Sequence, residues 1–266
     1  MDLPQNRLKQ WFRNPPQRRP LGSWLMAASP VTAEAMGFAG FDFLVLDMEH
    51  VPVDVPQAAA LMRAIAGTPA ETMVRLPWND PITVKRVMDA GATTLMFPYI
   101  QNAQEARAAV ASTRYPGRGT RGVAAMHRAS RYGTVDDYLN RADDEIAVVL
   151  QIETPEALER LPEIAAVEGV DALFLGPGDL SAAMGHKGAI GHADVQTALR
   201  EGVARAGREG MPCGIVGATP ELVKGYIDAG FAFVAIASDL ALMMGAARNA
   251  LAEIGAGHEG KSGTGR

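Results

Sequence analysis

Apolar runs of four to seven residues punctuate this chain, and between them lie longer stretches in which apolar residues recur every three or four positions. The short runs lack polar alternation, which marks strands buried on both faces. They predict strands at 21–26, 43–48, 73–76, 94–100, 146–152, 172–175, 213–216 and 233–237. The longer stretches predict helices at 30–38, 54–66, 81–89, 102–113, 155–165, 193–209, 220–228 and 239–253, with shorter helical turns at 8–13, 135–141 and 180–184. Ser29-Pro30 and Thr219-Pro220 each set a capping hydroxyl before a proline at the first helical position, and Asn102 caps another helix.

Strand and helix alternate, most pairs joined by only a few residues, which means βα units and a parallel sheet. Eight such units in a chain of 266 residues predict an α/β fold with one domain, a (β/α)8 TIM barrel over 21–254. A doubly wound open sheet is the alternative. A polar segment, 1–20, precedes the barrel, and a Gly, Ser and charge-rich tail, 255–266, is expected to be disordered. The rhythm breaks at 115–140, where Gly117, Gly119, Gly122, Gly133, four arginines and one histidine accumulate. So long an insertion is expected to be a functional loop.

Composition narrows the partner. With 48% hydrophobic residues and a formal charge of -5, the chain can bury a sizeable core, and it has no basic run beyond 17–19 to suit nucleic acid. A small molecule is the expected partner. The one cysteine, Cys213, excludes an internal disulfide, fits a reducing compartment and sits in an apolar run expected to be core. Residues 1–20 lack an apolar signal core, and nowhere do about 18 apolar residues run together. The expectation is a soluble, cytoplasmic protein without membrane contact.

In a parallel barrel every strand's carboxyl end opens on one face, where active sites sit. That face gathers Asp47, Glu49 and His50, then Arg75, Pro98 and Tyr99, Gln151 and Glu153, the run Gly176 to Asp179, and Ser238 with Asp239. Each has a plainer reading: Glu153 as an acidic residue near a helix start, Asp179 as the cap of a helix at Leu180, Arg75 as the ion-pair partner of Asp47, His50 as part of a solvated loop. Taken together, carboxylates from neighbouring fifth and sixth strands suit a hard divalent ion, Mg2+ or Mn2+, with coordination positions left for water or substrate. The spacing of a structural or protease zinc site is missing.

The segments LDMEH at 46–50, VRLP at 74–77, QIET at 151–154, EGVDALFLGPGDLS at 168–181 and RGV after the Tyr-Pro-Gly loop resemble the HpcH/HpaI family of class II pyruvate aldolases. The similarity runs from about Gly22 to Leu251 and is nearest to the 4-hydroxy-2-oxoheptanedioate and 2-dehydro-3-deoxyglucarate aldolases. It implies a barrel whose metal (Mg2+ or Mn2+, with Co2+ a further candidate) is held by Glu153 and Asp179. Gln151 and the backbone of Gly178 and Asp179 would contact a bound 2-oxoacid. His50 would be the acid/base, Arg75 the stabiliser of the enolate, and Asp89 the group that raises the basicity of the histidine. Asp89 ends a helix, so connectivity puts it near the opposite face of its own barrel, and a neighbouring subunit is the other source. Many family members carry Ala or Ser where this chain has Gly178. The resemblance also implies a homo-oligomer, a hexamer, whose last helix packs on a neighbour; that helix, 240–251, equally fits a lid on the barrel's own bottom.

Three rivals remain at this stage. A Schiff-base aldolase needs a lysine in the barrel mouth, and of the five only Lys187 could approach. A CoA-thioester lyase of the citrate-lyase β-subunit type needs a groove for a phosphate-bearing ligand, for which no basic stripe is present. A non-catalytic binding barrel leaves the clustered rim charges unexplained. Gly117-Arg-Gly119-Thr-Arg-Gly122 fits a dinucleotide fingerprint by letter, but it follows a helix and not a strand. Arg118, Arg121 and Arg128 in that loop are candidates to receive an acidic acceptor or a neighbouring subunit.

Overall fold

Alternation within each strand decides which side chains enter the barrel and which meet the helices. In β2 (Phe43–Asp47), Phe43 and Val45 turn inward while Leu44 and Leu46 turn to the helical ring. β5 (Ala147–Ile152) repeats this with Ala147 and Val149 inside and Val148, Leu150 and Ile152 outside. The computed structural model describes residues 1–255. Its strands β1 (Leu21–Leu25), β2, β3 (Glu71–Arg75), β4 (Thr94–Phe97), β5, β6 (Ala172–Leu175), β7 (Cys213–Gly217) and β8 (Phe233–Ser238) form a closed barrel. Neighbours are parallel throughout, and β8 returns to β1 through Leu21 opposite Val234. The open-sheet alternative is excluded.

The barrel interior is packed by large residues against small ones. A Cβ on Gly22 would run into the ring of Phe43, and one on Gly214 into Phe233. Two aromatic contacts, Phe43 on Phe233 at 5.9 Å and Phe174 on Phe233 at 6.0 Å, fill the space those glycines leave. The helix α1 (Arg7–Arg13) in the amino-terminal segment adds to this interior: buried Leu8 and Phe12 join the same cluster, with Phe12 5.1 Å from Phe233.

The outer helices are α2 (Pro30–Phe38), α3 (Val55–Ile65), α4 (Pro81–Asp89), α5 (Ala103–Thr113), α6 (Tyr138–Arg141), α7 (Pro155–Glu159), α8 (Leu161–Ala165), α9 (Pro177–Ala183), α10 (Ala193–Arg208), α11 (Pro220–Asp228) and α12 (Asp239–Glu253). Capping hydroxyls and amides stand where expected: Ser29, Asn102 and Thr219 each accept a backbone N–H of the following turn. The helix expected at 155–165 is two. Pro162 has no N–H to give the carbonyl of Leu158, and Arg205 Nη1 donates to that carbonyl instead, at 3.0 Å.

Two expectations about position change. The long 115–137 loop joins α5 to β5, which puts it on the face where helices end and strands begin, away from the strand carboxyl ends. There Arg118 pairs with Asp143 at 3.5 Å, Arg121 with Asp89 at 2.7 Å, and Arg128 Nη1 donates to the Ala90 carbonyl at 3.0 Å. None of the three reaches an acceptor in its own barrel mouth. The final helix does not lid the barrel bottom either: Leu242, Met243, Met244 and Leu251 are exposed, and only Asp239 of α12 is buried. The tail read as disordered lies, from residue 256 on, outside the described residues.

Candidate active site

The period of two that packs the barrel also builds its mouth. One inward step beyond Val45 comes Asp47, beyond Met73 comes Arg75, and beyond Val149 come Gln151 and then Glu153. A cavity of about 520 Å³ opens there, lined among others by His50, Arg75, Gln151, Glu153, Gly178 and Asp179. Six of the seven side chains and backbone positions singled out from the sequence therefore meet in one place, and Asp89 does not.

Arg75 is 7% exposed and doubly committed. Its Nε and Nη2 donate to the two carboxylate oxygens of Asp47 at 3.0 and 2.7 Å, a bidentate pairing that grips one edge of the guanidinium. Its Nη1 lies 2.9 Å from Glu49 Oε2, off hydrogen-bond geometry, since that oxygen is left without a donor. Of five N–H bonds, three make no hydrogen bond among the described residues, so the ion-pair reading of Arg75 and the substrate reading are compatible. Burial raises the Glu49 carboxyl above its ordinary range, and the nearby Arg75 and His50 pull it back down. The His50 side chain is 56% exposed, with Nε2 3.9 Å from Glu49 Oε2.

Glu153 is 1% exposed. Its Oε1 accepts the backbone N–H of Tyr99 at 2.9 Å and its Oε2 the amide of Gln151 at 2.9 Å. Tyr99 reaches it from a left-handed backbone, φ 56°, a conformation that costs energy for a side chain of this size and that the local hydrogen bond helps to hold. Gly176 is what lets the pair lie under the end of β6: a Cβ there would collide with Glu153 Oε2 and crowd Gln151 Nε2. Asp179 stands exposed in the first turn of α9. The cap expected of it is absent, because α9 begins at Pro177 with Gly176 before it, and no side chain caps it.

Burial pushes the Glu153 carboxyl up to about 8, and the adjoining Asp179 carboxyl adds to this while the Tyr99 N–H works against it. A group whose folded pKa lies above its ordinary 4.5 stabilises the fold below about pH 4.5 and loses that contribution as pH rises through about 8. The metal-free protein is therefore expected to melt at lower temperature at pH 8.5 than at pH 6. Glu153→Gln should flatten that difference, as melting curves across this window will show.

The fit to a divalent ion rests on the same facts. A buried carboxylate beside a second one is a site where cationic charge relieves a standing cost, and the donor set is all oxygen, as Mg2+ or Mn2+ prefers. No lysine among the described residues lines the cavity. Lys187 is exposed in the loop after α9, so the Schiff-base rival has no amine in place.

Asp89 lies at the far end of α4, with Arg121 at 2.7 Å and His127 Nε2 at 3.6 Å. Asp239, read as a rim residue, is structural: its carboxylate accepts the backbone N–H groups of Met26 and Ala27 at 2.8 and 3.2 Å, tying β1 to the start of α12. Trp24 and Met26 line the cavity too, and sequence reading passed over them because an apolar strand gives no chemical signal. Counting inward positions along β1 would have found both.

Acidic residues, an arginine and a histidine thus converge at the strand carboxyl ends of a (β/α)8 barrel, the face on which enzymes of this fold carry their active sites. The model of the HpcH/HpaI aldolase/citrate lyase family matches residues 21–246, and the chain belongs to that family. It is similar to the 2-dehydro-3,6-dideoxy-6-sulfogluconate aldolase of Pseudomonas putida, 53% identical over 88% of this chain and 92% of the relative. It is also similar to the hydroxypyruvate/pyruvate aldolase of Sagittula stellata, 43% identical over 93% of this chain and 97% of the relative. Among solved structures, an HpcH/HpaI aldolase/citrate lyase family protein from Burkholderia cenocepacia superposes with a TM-score of 0.91 at 41% identity, covering 94% of this chain and 99% of that one. The chain is thus a carbon–carbon lyase of the aldolase kind.

Proposed function

We propose that Glu153 and Asp179 hold the divalent ion, Mg2+ or Mn2+ with Co2+ as a further candidate, for reversible addition of pyruvate or hydroxypyruvate to an aldehyde. The observation that carries this reading is the buried Glu153 carboxylate set against Asp179 in the floor of the mouth, its pKa raised to about 8. When bound, the ion supplies positive charge to the carboxylate and keto oxygens of the 2-oxoacid.

The chain's own groups do the rest. The N–H groups of Gly178 and Asp179, in the first turn of α9, have no acceptor within the helix and suit the 2-oxoacid carboxylate. Lacking a side chain, Gly178 still offers its N–H. Gln151, 3% exposed and held by Glu153, orients the same ligand. Arg75 directs its unused N–H groups at the oxygen where charge develops as the enolate forms. His50 takes the proton from the C4 hydroxyl in cleavage and returns it in synthesis, since imidazole is the side chain best able to give and take a proton near neutral pH.

Asp89 acts, in this reading, in a neighbouring subunit's site; its carboxylate is 25% exposed and so can be reached from outside. The exposed apolar row on α12 is the matching surface for assembly, in keeping with a hexamer. A CoA thioester is disfavoured because, among the described residues, Arg75 is the only basic side chain besides His50 lining the cavity. No helix among the described residues is long and apolar enough to cross a membrane, which fits a cytoplasmic enzyme working on small molecules.

The test is metal removal. EDTA should abolish pyruvate release from a 4-hydroxy-2-oxoacid, and Mg2+ or Mn2+ should restore it. Undiminished release in excess EDTA would sink the metal assignment. A screen of aldehydes with both donors, read by adduct mass, identifies the acceptor.

A further inference from the structure

Arg75 makes one contact that its ion pairs do not account for. Its guanidinium carbon lies 4.2 Å from the ring centre of Trp24. Trp24 is 6% exposed, lines the cavity beside Arg75, and meets Phe174 edge-on at 6.0 Å with planes at 76°. Its indole Nε1 is buried and finds no acceptor. A leucine or phenylalanine would fill the same interior position without an unmet donor, so tryptophan here carries a stability cost. What tryptophan offers in return is the side-chain face most attractive to a guanidinium, and the attraction is greatest where water is excluded.

We propose that Trp24 is a positioning residue for Arg75, its indole face serving as the platform that keeps the guanidinium plane aimed at the bound 2-oxoacid. Asp47 grips one edge of that plane through Nε and Nη2. The plane can still rock about the gripped edge, and Nη1, whose approach to Glu49 lies off hydrogen-bond geometry, does not prevent it. The indole stacked against the guanidinium blocks that motion and so holds the unused N–H groups where the enolate oxygen forms. The proposal rests on the role given to Arg75 above.

The test is a double-mutant cycle on the full-length, Mn2+-saturated enzyme with W24F, W24L, R75K and W24L/R75K. Two rates are read for each: aldol cleavage, as kcat and KM, and exchange of the pyruvate C3 protons in D2O. W24L should lower kcat and exchange together by about thirtyfold, which is about 2 kcal/mol, with KM within about threefold. W24F keeps an aromatic face and should recover most of the loss. In the R75K background, adding W24L should cost less than about threefold, because the group being aimed is gone. A W24L loss that persists undiminished with R75K would show that Trp24 acts directly on the substrate or only supports the fold, and would overturn the proposal. W24F as impaired as W24L would overturn it too. If W24L does not fold, W24M, close in volume and unbranched, takes its place in the cycle. R75K with full activity would remove the role of Arg75 itself, a separate failure visible before any Trp24 variant is made.

Discussion

Glu153→Ala and Asp179→Ala are each expected to reduce metal-dependent cleavage by about three orders of magnitude, the scale seen when a group that stabilises developing charge is lost, while the barrel stays folded. Glu153 is the sharper case. Burial already disfavours its ionised form and raises the carboxyl to about 8, so removing it relieves that cost. Glu153→Gln keeps an acceptor for the Tyr99 N–H, and a flip of Gln151 would then give its presently unpartnered Oε1 a donor. The glutamine variant should therefore melt at or above the wild-type temperature yet be as inactive as the alanine one. Asp179 is exposed, and its loss should move stability little. Full activity in either variant would end the metal assignment, and unfolding would show that the pair is held for structure.

The second large effect is expected at His50. His50→Ala should slow aldol cleavage by about 10² to 10⁴, the usual contribution of a positioned acid/base, and should slow exchange of the pyruvate C3 protons much less. The reason is a division of labour in the mouth. In the proposed mechanism Glu153, Asp179 and Arg75 serve the end where the enolate would develop, whereas His50, with its side chain 56% exposed, serves the aldehyde oxygen. Cleavage by NMR-detected pyruvate release and exchange in D2O, measured on one preparation, separate the two steps. Equal losses would mean that the histidine does not act mainly on the aldehyde oxygen.

Much of this was legible in the sequence because the barrel repeats a simple rule. Phe43-Leu-Val-Leu-Asp is uninterrupted apolar residue until it reaches the mouth, where Asp47 occupies the next inward position after Val45. The same step carries Arg75 and Gln151 into the cavity, so strand ends read as site residues for a geometric reason. What sequence pattern could not carry was anything set by packing between distant elements. The contact of Arg75 with Trp24 needs β1 and β3 on either side of β2, with the guanidinium over the indole ring. At the break at Arg160, the carbonyl of Leu158 that Pro162 leaves open is met by Arg205 of the distant helix α10. The glycine-rich 115–140 stretch looked functional, and its direction was lost because loop length says nothing about which end of the barrel it serves; the order of α5 and β5 does. Asp89 belongs with that end, bound to Arg121, as its position at the close of α4 required.

The account depends most directly on one cation lying between Glu153 and Asp179 and meeting the 2-oxoacid. Mn2+ bound to the protein can be followed by its electron paramagnetic resonance spectrum. One tightly held Mn2+ per chain is expected, with a spectrum that changes on adding pyruvate, and both signals should vanish in the Glu153→Gln, Asp179→Ala double variant. Mn2+ that binds the double variant as well as the wild type, or a spectrum indifferent to pyruvate, would contradict it.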